Sequence, residues 1–203
     1  MTCKRIAIFA WAAVFLLPLI ACNQSSQTPS SKASAGASQL AGGLKPVDFG
    51  GVDLRTVNRQ KLEEVYYRNL KVPLVPRNDF ESVADASSIY PGAEKVEVAM
   101  TRGGALATMQ FVFPGTGDPY LADKVTQLMA SKYGKPSTIL GKLEQGEYRA
   151  IWDMGGGFII QVGRSWPNTT THLNFVSSGN LIRLQEEVQQ RLHSPKNMVG
   201  ASR

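Results

Sequence analysis

Histidine and cysteine are almost missing from this sequence. Cys3, Cys22, His172 and His193 are all there are in 203 residues. A zinc or iron centre needs several converging His, Cys or carboxylate ligands, so neither a metal nor a cofactor is expected. Also missing is a run of about 20 apolar residues, the length that spans a bilayer comfortably; the segment Ile6 to Ile20 falls short of it. Neither sign of charge dominates. The 22 Lys+Arg against 16 Asp+Glu leave a formal +6, too mild a basic excess for a nucleic-acid-binding surface, and no nucleic-acid partner is expected.

Recognisable catalytic patterns are absent too. Gly155-Gly156-Gly157 has neither the spacing nor the lysine of a phosphate loop, and it lies between strand-like segments. It reads as a hairpin turn, because a phosphate cradle needs a following helix N-terminus. No serine sits in a nucleophile elbow that would pair with His172, which alternates with Leu173 and Phe175 as a sheet-face residue does. The adjacent pairs Glu63-Glu64 and Glu186-Glu187 diverge by about 100° around a helix and read as solvated faces. No catalytic residue is assigned, and the chain is expected not to be an enzyme.

What is present is informative at the N-terminus. Lys4 and Arg5 precede the apolar run, which ends Leu19-Ile20-Ala21-Cys22 and gives way to Asn23-Gln24-Ser25-Ser26. A short positive region followed by a short apolar one reads as an export signal. The four residues 19–22 resemble the lipobox of bacterial lipoproteins, a resemblance covering residues 1–22. It implies cleavage before Cys22, acyl chains on that cysteine, and the membrane as a partner through those chains. Two or more chains hold a protein stably at a bilayer. Asn23, where an aspartate would mark inner-membrane retention in such lipoproteins, favours the outer membrane, with the periplasmic face expected. An uncleaved signal anchor is the alternative. On the lipoprotein reading Cys3 and Trp11 leave with residues 1–21 and the net charge falls to +4, since Lys4 and Arg5 leave with them. The mature domain then has no disulfide and stands on its core alone.

Residues 22–45 form the next segment, the anchor cysteine followed by a serine-, glycine- and alanine-rich stretch without an aromatic residue. Such a composition cannot offset its ordering entropy, so a disordered tether is predicted, with a root-mean-square span of about 25 Å. A single α+β domain is expected over 46–195, with a frayed tail at 196–203.

Within that domain, Leu54, Val57, Leu62, Val65, Tyr66 and Leu70 approximate a helical stripe that Asp53 or Asn58 would cap. Pro73 and Pro76 make the following stretch irregular. Val96, Val98 and Met100, then Ala107, Met109, Phe111 and Phe113, alternate about an Arg102-Gly103-Gly104 turn, a hairpin signature. Asp118-Pro119 opens a second helix that Gly134 and Pro136 end, with Leu121, Val125, Leu128 and Met129 as its buried face. A second hairpin follows over 147–153 and 158–162, then a strand at 172–176. Asn180 would cap a last helix presenting Leu181, Leu184, Val188 and Leu192.

The fold expected is therefore an antiparallel sheet of two glycine-turned hairpins and an extra strand, with about three helices on one face, in two related helix-hairpin units. The layout of anchor, tether and compact helix-plus-meander domain resembles that of the small lipoprotein of the barrel-assembly machine, though no motif carries over. Arg164 and Trp166, in a loop of residue types common in binding hot spots, are the candidate binding residues. The expected role is a non-catalytic binding or assembly module for an envelope protein or complex. Alternatives are an inhibitor protecting against an exported hydrolase, and an envelope hydrolase or wall-binding protein of unrecognised chemistry.

Overall fold

In the computed structural model, residues 44, 46–115, 118–164 and 169–193 are described. Cys22, its lipobox, the tether apart from Leu44, Trp166 and the tail lie outside them. A small ribbon, β1 (Asp48–Phe49) with β2 (Val52–Asp53), leads into helix α1 (Arg59–Glu64), which continues as one π-helical turn, Val65–Asn69. Strands β3 (Val75–Pro76), β4 (Glu81–Asp85), β5 (Lys95–Met100) and β6 (Leu106–Phe113) follow. Then come helix α2 (Leu121–Tyr133), strands β7 (Thr138–Lys142), β8 (Glu147–Asp153), β9 (Phe158–Arg164) and β10 (Thr171–Ser177), and helix α3 (Ser178–Leu192).

The α+β class read from the sequence is the class observed, and the strand order explains how. The eight strands β3 to β10 form one antiparallel sheet ordered β3-β4-β5-β6-β10-β9-β8-β7. One half is α1 followed by the meander β3–β6; the other is α2 followed by the meander β7–β10. The last strands of the two meanders, β6 and β10, pair antiparallel at the centre. Each expected helix-hairpin unit is thus a helix and four strands, the outer strands β3, β4 and β7 having escaped the periodicity reading. Proline interrupts the first, and β7 is exposed at all five positions, so it has no apolar face to reveal it.

Alternation decides the core. Val96, Val98, Met109, Phe111, Leu173, Phe175, Ile160, Val162, Ala150 and Trp152 all point to one face and are buried there. Against them α1 sets Leu62 and, with its π-helical turn, Val65 and Tyr66; α2 sets Ala122, Val125 and Met129. Phe111 is the hub of an aromatic group, with Tyr90 edge-on at 4.7 Å, Phe49 at 5.9 Å and Phe175 at 6.3 Å between ring centroids. Such tilted pairs add to the burial of their area.

Several local expectations are corrected. Of the two caps expected for the first helix Asn58 is the one used, its side chain accepting the Lys61 backbone N–H at 2.9 Å, so the helix starts at Arg59 and Leu54 and Val57 lie ahead of it. Asp53 instead accepts from the backbones of Val47 and Arg55 within the turn. Asp118 stands two residues ahead of the α2 cap, accepting from Tyr120 N–H and pairing with Lys124 at 2.7 Å. Leu128 is 41% exposed, the buried stripe of α2 running instead through Ala122, Val125, Met129 and Tyr133. Asn180 lies inside α3, where its amide donates to the Leu106 carbonyl, and Ser177 is the cap residue.

The three helices do not share one face. Ala99 lies between Val98 and Met100, which enter the main core, so it points the other way. Leu184 and Val188 of α3 pack with Ala99, Ala107 and Phe80 in a separate cluster on that side. The cause is chain direction: β10 runs into α3 without a loop, and only the sheet's second face has room there, since α1 and α2 fill the first. Glu187 is no solvated residue either. Its side chain, 13% exposed, accepts from the backbone N–H of Arg102 at 2.6 Å and pairs with Arg183, fastening α3 to the first hairpin turn.

Candidate functional site: the open face of the sheet

Among the described residues, α3 is the helix that packs on the second face, at one end. Over the rest, the open face, the residues that alternate with the core are mostly half-buried, with Asn174 and Val112 buried. The register sets them in rows. Glu97 of β5 faces Gln110 of β6, Gln110 faces Asn174 of β10, and Asn174 faces Gln161 of β9. One polar row therefore crosses four neighbouring strands at the middle of the sheet. The adjoining row runs Lys95, Val112, His172, Gly163 and Arg149.

Within the polar row, Gln110 Nε2 donates to Asn174 Oδ1 at 2.7 Å. Asn174 is only 5% exposed, so this cross-strand bond satisfies a group that would be costly to bury alone. At the row's end Glu97 receives Lys95 Nζ at 2.8 Å and Arg77 at 3.2 Å. Partial burial works to raise the Glu97 pKa, but the hydrogen bonds and charges of Lys95 and Arg77 outweigh it and hold the carboxylate below its ordinary range. His172 stands between these charges and the amides. Burial depresses its pKa, Lys95 adds to the effect and Glu97 opposes it. Its Nδ1 is buried without a hydrogen-bond partner among the described residues.

The chemistry available here is that of recognition. Carboxamides both donate and accept, the ion pairs of Glu97 with Lys95 and Arg77 supply both signs of charge, and half-buried Ile151, Ile159 and Val176 add apolar area on the same face. Among the described residues no group of three His, Cys, Asp or Glu side chains is placed to hold a metal ion.

Of the candidate residues read from the sequence, Arg164 lies at the end of β9, two residues after buried Val162 and so toward the helix-covered face. Its guanidinium donates to the Pro119 carbonyl at 2.8 Å beside Asp118, so it ties β9 to the loop before α2. Trp166 and Cys22 lie outside the described residues. The structure therefore does not bring Arg164 to the polar row. That row went unread because its members are spread over the 78 residues from Glu97 to Asn174 and only strand register aligns them. The one local signal was the alternation of Glu97, Gln110, Gln161 and Asn174 with buried apolar neighbours.

No family model and no curated protein matches the chain. Among solved structures, it is similar to that of a DUF4309 family protein, YjgB, from Bacillus subtilis. The two are 12% identical with a TM-score of 0.36, over 63% of this chain and 82% of that one. A likeness that slight carries no argument about function.

Proposed function

We propose that this protein is a non-catalytic lipoprotein of the cell envelope, held at the outer membrane by acyl chains on Cys22, whose folded domain binds an envelope protein through the open face of its sheet. The single observation that supports the binding role is the row Glu97, Gln110, Asn174 and Gln161 across four strands, on the face where, among the described residues, α3 packs at one end. A surface mixing amides, the two ion pairs of Glu97 and apolar side chains matches the ordinary composition of a protein–protein interface. The anchor rests on the Leu19-Ile20-Ala21-Cys22 sequence.

A photo-reactive residue at Gln161, on the open face, should yield one dominant protein adduct in intact cells, and the same probe at Gln127, on the exposed side of α2, should not. Equal adducts from both positions, or none from Gln161, would remove the binding role. Palmitate labelling that survives a Cys22→Ser change would remove the anchor.

A further inference from the structure

The two edges of the sheet are built differently. β3 is two residues long, and Pro76 has no N–H to offer a neighbour, with Pro73 just ahead of it. Proline and brevity are the usual ways of closing an edge. β7 is longer and has no proline within its five residues, although Pro136 stands two residues ahead of it as Pro73 does of β3; all five are exposed, with Ile139 at 57% and Leu140 at 50%. Alternate residues of such a strand turn their N–H and C=O groups away from β8, toward the outer edge of the described sheet. Among the described residues the main packing of α2 is on β8, β9 and β10, and that of α3 on β6 and β10.

We infer that β7 pairs with β7 of a second copy of this chain, antiparallel, about a two-fold axis at Ile139. The pairing does not depend on the open face being a binding surface. Three features select a second copy as the occupant. The segment from Ser137 to Leu140 carries no charge, so it has no electrostatic preference for an acidic or a basic partner strand. It is bounded by Pro136, without an N–H, and by Gly141, whose φ of 74° bends the strand, which leaves a short stretch centred near Ile139. An axis there, perpendicular to the sheet, sets residues of the same face opposite one another, Ile139 on Ile139 and Thr138 on Leu140. It also holds the two Lys142 side chains about 20 Å apart at 3.4 Å per residue, beyond the Debye length of about 8 Å at physiological salt. The paired sheet would have sixteen strands, with both copies of α1 and α2 on one side and both open faces on the other, the self-complementary arrangement that a two-fold interface requires.

Cysteine substitution in the full-length protein tests the register directly. Directly opposed positions fall within the 4.4–6.8 Å Cα range of disulfides. Ile139→Cys should therefore crosslink to itself under mild oxidation, and Thr138→Cys mixed with Leu140→Cys should crosslink between chains. Lys142→Cys should stay at the background set by the unsubstituted chain, which carries Cys3 and Cys22. Sedimentation equilibrium of the detergent-solubilised protein should show a concentration-dependent dimer that Ile139→Lys weakens at least tenfold, with the circular dichroism unchanged because this side chain is exposed. The inference is overturned if Ile139→Cys crosslinks no faster than Lys142→Cys, if all positions crosslink alike, if β7 cysteines couple to a different protein, or if the chain sediments as a monomer throughout.

Discussion

The indole Nε1 of Trp152 donates to the main-chain carbonyl of Gly134 at 2.7 Å. Trp152 is buried in β8, and Gly134, at φ 84°, ends α2, so one hydrogen bond joins the C-terminus of a helix to the sheet it covers. Terminal carbonyls of a helix have no partner within it, and this one finds its partner in the core.

Trp152→Phe removes the donor and some volume while keeping an aromatic ring. The expected cost is about 1–3 kcal/mol, read as a lower urea midpoint with an unchanged slope.

The stripe of α2 distinguishes two neighbouring residues. Met129→Ala opens a cavity against the sheet and should destabilise by about 2–5 kcal/mol. Leu128→Lys, on the exposed side, should stay within about 0.5 kcal/mol. Thermal unfolding of the two variants side by side checks the helix register, and equal effects would contradict it.

Glu187→Ala should loosen α3 where Glu186→Ala does not, because only Glu187 accepts the Arg102 N–H. A charged hydrogen bond of this kind is worth about 1.5–3 kcal/mol. Hydrogen exchange should quicken throughout 178–192 and at the 102–104 turn in the first variant alone.

Acid should act on the open face in two steps. His172 has its folded pKa below the ordinary value, so the unfolded chain takes up that proton more readily and stability falls as pH drops below about 6.5. Glu97 is likewise depressed, so its contribution is intact above about pH 4.3 and is lost as pH falls through the folded value. In melting temperature against pH, His172→Gln should flatten the upper part of the decline and Glu97→Gln the lower part. An unchanged profile in both would show that neither group titrates differently in the folded state.

How far the sequence could be read follows from how local each signal is. The hairpin at Arg102-Gly103-Gly104 was legible because alternation and turn glycines lie within about twenty residues. The helix start was not: Asp53 and Asn58 are both good caps, and the choice depends on Asp53 being used by the Val47 and Arg55 backbones. β7 was illegible because an edge strand exposed on both faces has no period to show. Arg164 reads as a loop residue in the sequence, whereas it ends β9 and holds the Pro119 carbonyl, a partner 45 residues away.

The order of amino acids alone determined the α+β class, the two glycine-turned hairpins, β10 and three helical stretches, since each rests on periodicity and turn chemistry among near neighbours. Only the tertiary structure decided that two four-strand meanders meet at β6 and β10, that α3 crosses to the second face, and that Glu97, Gln110, Asn174 and Gln161 form one row. Those facts rest on register between distant strands, and register is set by burying one face of the whole sheet at once, an outcome no single segment encodes.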